Sequence, residues 1–187
     1  KKKKNIAESE KVGIADLMKQ NNLSTFEAKG TAKPSEEFKK YSVFSFGANF
    51  TEVWVDKDTG MYRIKRMVNV GSAGKILNPK TAYGQIIGGL TMGAGMVIAE
   101  RTQVEPNYGN FITRTLADYH VPVNLDLANI DVIFLPEEDK IANEMGIKGI
   151  GELGITSVAA SIANAIFNAT GKRMRDLPIT PEKLIEA

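Results

Sequence analysis

Cysteine is absent from the 187 residues, and histidine occurs once, as His120. The first absence excludes a disulfide framework, a thiolate nucleophile, a cysteine-held zinc and an iron–sulfur cluster ligated by this chain. The second excludes His-rich metal sites and His–Cys dyads, so no metal-ligating residue is assigned. A basic surface is missing too. The net charge is +2, but Lys1 to Lys4 supply four of the 24 positive residues, and the other 20 face 22 acidic ones. That leaves −2 and argues against nucleic-acid binding. Long apolar runs are also lacking. Residues 86–99 are the longest apolar stretch, too short for a bilayer and rich in glycine. The lysine cluster is followed by polar residues 5–10, not by the apolar core of a signal peptide. With neither a membrane nor a targeting segment in view, the expected place is the cytoplasm, the periplasm being the alternative. What is present is ordinary for a globular protein: 43% hydrophobic and 25% charged residues. The length allows one core and an arm.

Residues 1–40 read as the arm and linker, and 41–187 as the main body. A short amphipathic helix is expected over 8–22, with Ile14, Leu17 and Met18 on one face. From Tyr41 the pattern turns to aromatic and β-branched residues with partial alternation. Asp56-Lys-Asp-Thr-Gly60 divides two such runs, which predicts a β-hairpin. Trp54 is out of phase with Val53 and Val55, which leaves it facing a second surface or covering the hairpin's outer side. Asn78-Pro79 opens a helix expected to reach Arg101. Its interior holds Gly84, Gly88, Gly89, Gly93 and Gly95. An interior glycine costs about 1 kcal/mol relative to alanine, so these glycines imply close approach by another backbone or a ligand. Ile130–Leu135 reads as a short strand. Ile155–Ala169 reads as an alanine-rich helix closed by Thr170-Gly171, and Thr180-Pro181 opens a terminal helix. The interspersed strands and helices give an α+β class.

The most informative segment is Gly146-Ile-Lys-Gly-Ile-Gly-Glu-Leu-Gly154. Gly149, Gly151 and Gly154 match the spacing of a dinucleotide fingerprint. The match is formal. No strand leads directly into the loop, and no second parallel strand follows the helix. Glu152 inside the loop would repel a pyrophosphate. Bare backbone at Gly149 and Gly151 with the Glu152 carboxylate directly after it suits instead a general base acting on a bound ligand. The simpler reading makes Glu152 a first-turn glutamate that complements the helix dipole.

Lys148-Gly-Ile-Gly-Glu-Leu-Gly154, the alanine-rich helix after it, and Arg175-Asp-Leu-Pro178 together resemble the C-terminal portion of the molybdopterin-binding large subunit in the xanthine dehydrogenase/aldehyde oxidase family. The bacterial aldehyde oxidoreductase type is the nearer likeness. Ser45-Phe-Gly-Ala48, Gly74-Lys-Ile-Leu-Asn-Pro79, Gln85-Ile-Ile-Gly-Gly89 and Tyr119-His-Val-Pro122 agree in the same order. The resemblance implies the C-terminal part of a molybdenum cofactor-binding domain. It implies oxidation of aldehydes or N-heterocycles by Mo–OH attack with hydride transfer to Mo=S, Glu152 being the general base. Gln85, Lys148, Gly149, Ile150 and Gly151 are implied to bind the cofactor, a molybdopterin of the cytosine dinucleotide form. Iron–sulfur clusters and FAD would sit on partner subunits or domains, not on this chain. The remainder of the large subunit would be needed for activity. The alternatives are a non-catalytic packing or assembly module of the same complex, and a nucleotide-binding module built on residues 149–154.

Overall fold

The computed structural model describes residues 12–31 and 36–186. The chain divides into two compact units, residues 1–33 and 34–187. In the first, helix α1 (Ile14–Gln20) is shorter than the expected 8–22. Residues 8–11 of that expectation lie outside the described residues. Gly13 caps α1 without a side-chain hydrogen bond. Met18 is half-buried and every other α1 residue is exposed.

The second unit is built on the expected hairpin. Strands β1 (Phe46–Val55) and β2 (Tyr62–Ser72) pair antiparallel, with a register shift at Glu52/Val53. The turn between them follows from its composition. Asp56 Oδ1 accepts the amides of Asp58 and Thr59 at 3.0 and 3.1 Å. Gly60 takes φ +68°, and a Cβ there would collide with the Pro181 carbonyl. The hairpin turn is thereby seated on helix α4 (Pro181–Glu186). Strand β3 (Ile130–Phe134) adds to β2 in parallel, so the sheet order is β1-β2-β3.

Between β2 and β3 runs helix α2 (Pro79–Ile98), capped as predicted: the Asn78 side chain accepts from the Lys80 and Thr81 amides. Helix α3 (Val158–Thr170) ends on Gly171 at φ 76°. It starts three residues later than expected, because Ile155 and Thr156 first turn back to donate to the Glu152 carbonyl. Val158, Ile162 and Ile166 share one face of α3 and are fully buried. They meet Ile86, Leu90, Ala94 and Val97 of α2 and Ile64 and Met67 of β2. Each such aliphatic side chain contributes about 1.5–3 kcal/mol by burial.

The α2 glycines divide by face. A Cβ at Gly89 would lie 3.0 Å from the Ile155 nitrogen, and one at Gly93 2.6 Å from the Val158 Cβ. These two admit the chain entering α3. Gly84 and Gly88 have nothing within 4 Å of a Cβ position. Among the described residues, no helix is long and apolar enough to cross a membrane.

Candidate functional site

The chain from Leu135 to Ser157 forms no regular element until α3 begins, yet it is held closely. Glu137 is the first fixed point. Its carboxylate accepts the Ser72 hydroxyl, the Gly74 amide at 2.9 Å and the Lys148 ammonium at 2.6 Å. These donors, the ammonium foremost, hold its pKa down at about 2. The Lys148 amide donates to the Ala73 carbonyl, and Gly74 bridges Ile147.

The glycine loop proper is held by its carbonyls. Ser45 Oγ donates to Gly149 O at 2.5 Å, and Gln85 Nε2 to Gly151 O at 2.7 Å. Leu153 N donates to Ile150 O, and Ile155 N and Thr156 N to Glu152 O. The carbonyls of residues 149–152 are thus all taken by protein donors. The amides of the same residues have no protein acceptor among the described residues. Gly149 and Gly151 are open as well, with nothing within 4 Å of a Cβ position. Behind the loop, Asn49 Nδ2 donates to Gly154 O at 3.3 Å and to Ser157 Oγ at 2.6 Å. The fully buried Asn69 donates to Asn49 Oδ1 at 2.6 Å.

Two cavities flank the loop. One, of about 740 Å³, is lined by Phe38, Val43, Phe44, Gly149, Glu152 and Leu153, among others. The other, of about 490 Å³, is lined by Leu77, Thr81, Ala82, Gln85, Ile150 and Gly151, among others. Glu152 and Gln85 therefore belong to different walls, and the backbone at Gly151 is shared by both. The Glu152 carboxylate has no hydrogen bond or ion pair among the described residues, and the residue is exposed.

The structure brings the predicted residues together and alters two of the arguments. Glu152 precedes the first residue of α3 by six positions, and a dipole effect fades within the first turn. The first-turn reading of Glu152 is thereby removed. The Lys148 side chain is 7% exposed and paired with Glu137 and Asp139, so its charge is engaged within the protein. Gln85 has its Nε2 on Gly151 O, which leaves Oε1 without a partner among the described residues. Sequence reading assigned no role to Glu137, Ser45, Asn49 or Asn69. Two of them had a signal: Ser45 opens one of the matching motifs, and Glu137 is an acidic residue just past the β3 pattern. His120 lines two smaller cavities away from the loop.

A run of free donors with its acceptors occupied suits a ligand rich in acceptor atoms. Pterin ring nitrogens, phosphate oxygens and metal-oxo groups are such acceptors, so the donor set fits a molybdopterin. The family model described as a molybdopterin cofactor-binding domain matches residues 1–128. This chain belongs to that family. The aldehyde oxidoreductase molybdenum-binding subunit of Escherichia coli is 47% identical over 160 residues, 83% of this chain and 22% of that protein. The nicotine 6-hydroxylase large subunit of Paenarthrobacter nicotinovorans is 31% identical over 97% of this chain and 23% of that protein. Among solved structures, the aldehyde oxidoreductase of Desulfovibrio desulfuricans superposes with a TM-score of 0.68 at 34% identity. That match covers 76% of this chain and 15% of the other. The chain therefore spans about a fifth of the length of these curated relatives.

Proposed function

We propose that this chain forms one wall of the active site of a molybdenum hydroxylase that oxidises aldehydes or N-heterocycles, with Glu152 as general base. One observation supports the reading best: four consecutive amides, at residues 149–152, that have no acceptor among the described residues end on a carboxylate unpaired among them. The cofactor in this reading is the cytosine dinucleotide form of molybdopterin. Iron–sulfur and FAD groups lie on partner subunits or domains, and the rest of the large subunit completes the site. A bound molybdopterin supplies the centre that accepts two electrons from substrate.

The chain's own residues bind, orient and move a proton. The amides of Gly149, Ile150, Gly151 and Glu152 hold acceptor atoms of the cofactor. Gln85 Oε1 takes a donor on the opposite side of the loop. The open flank at Gly151 lets one ligand reach both walls. Val43, Phe44 and Leu153 exclude water where substrate enters. The Glu152 carboxylate receives the proton of the attacking hydroxyl, and its exposure gives that proton a route to solvent.

The test is Glu152→Gln in the assembled enzyme. General-base catalysis contributes about 10²–10⁴-fold, so kcat falls by that order while the molybdenum content per protein stays at the wild-type level. Wild-type kcat in the variant would falsify the assignment.

A further inference from the structure

Among the described residues, Lys148 is the only cation in the wall of the larger cavity. A free ammonium there would be an obvious partner for an anionic ligand. The geometry opposes that use. The ammonium lies 2.6 Å from Glu137 Oε1 and 3.6 Å from Asp139 Oδ2, with its side chain 7% exposed. Glu137 is itself bound to the Ser72 hydroxyl and the Gly74 amide, at the end of β2. The Lys148 amide donates to Ala73 O at 3.1 Å. Main chain and side chain are thus both tied to the segment that leaves the sheet. Two carboxylates already face one ammonium. Drawing it toward a ligand would leave two negative charges close together, which each disfavours.

We propose that Lys148 is a positioning residue. Through Glu137 and Asp139 it anchors the start of the loop and so sets where the free amides of residues 149–152 lie. It is not a cation offered to the ligand. The inference takes its functional meaning from the cofactor reading above, but its geometry stands apart from it.

The two roles predict opposite results for one pair of substitutions, Lys148→Met and Glu137→Gln, in the purified assembled enzyme. If Lys148 is an anchor, both variants shift the amide resonances of Gly149 and Gly151, while those of Ala163 in α3 stay in place. In Lys148→Met the Glu137 carboxyl titrates at a higher pH than in the wild type. Molybdenum content falls in both variants. If Lys148 is a ligand cation, freeing it by Glu137→Gln raises molybdenum retention, and that result overturns the proposal. So do unmoved Gly149 and Gly151 amides in Lys148→Met. Amine-reactive labelling of the wild type covers the case of a variant that does not fold. Lys148 is expected to react at least tenfold more slowly than the exposed Lys57, and equal rates overturn the anchor. A wild-type protein without molybdenum would refute the cofactor reading but leave the resonance and labelling results to decide the anchor.

Discussion

Glu137 ties three chain segments with one carboxylate, and its ionisation makes that tie pH-dependent. Lys148, Ser72 and Gly74 hold its pKa at about 2, against 4.5 for a free glutamate. A carboxylate with a depressed folded-state pKa contributes its full stability above the unfolded value. The contribution is lost as pH falls from 4.5 toward 2. Glu137→Gln should therefore be less stable than the wild type at pH 7. The gap should shrink below pH 4.5 and be nearly closed at pH 2. Urea unfolding at stepped pH measures this. A gap constant with pH would mean that the ionised form is not what holds the joint. Glu152 and Gln85 were legible in the sequence because a motif carried them. Asn49 and Asn69 were not, since a pair of amides with one member buried depends on register across β1 and β2, and β-patterned residues around them conceal the polar positions.

At the level of elements, the two glycine faces of α2 behave differently under one substitution. Gly88→Ala adds a methyl group to open space and recovers helix propensity of about 1 kcal/mol. Gly93→Ala would set a Cβ 2.6 Å from that of Val158, and overpacking costs about 1–3 kcal/mol. The first variant is expected to melt about 2–4 °C higher in a domain of this size, and the second lower. Differential scanning calorimetry separates them. A higher melting point for Gly93→Ala would show that α3 can give way. The elements themselves were readable where local chemistry ends them: Asn78-Pro79, Asp56 through Gly60, and Gly171. The start of α3 was misplaced, because nothing in the spacing of Ile155 and Thr156 shows that their amides close turns on Glu152 first. The sequence also read the glycine-rich helix as approached by another backbone or a ligand. At Gly89 the approaching backbone is the chain's own, at Gly154 and Ile155, while Gly93 makes room for the Val158 side chain.

For the whole molecule, the informative surface is the sheet face opposite the core. Phe46 and Phe50 of β1 are 65% and 61% exposed, and Ile133 of β3 is 50% exposed. β1 is also an edge strand. Toward the turn the same face becomes polar, with Arg66 paired to Asp131 at 2.7 Å and Lys65 over the Trp54 ring. An exposed apolar edge promotes association. Phe50→Lys is expected to raise the concentration at which the chain by itself stays monomeric, as read by sedimentation velocity. No change would mean that this face does not drive association.

The contacts that shape the donor loop also have a kinetic meaning. Ser45 reaches Gly149 across 104 residues, Asn49 reaches Gly154 across 105, and Gln85 reaches Gly151 across 66. Long closures are slow to form, because their entropy is lost before any contact rewards it. The hairpin, closed by a short turn, can form early and alone. The loop cannot take shape until the chain has been synthesised past Ser157 and folded back on both β1 and α2. A cofactor that needs this donor array must therefore arrive after most of the chain has folded, not serve as the nucleus around which it folds.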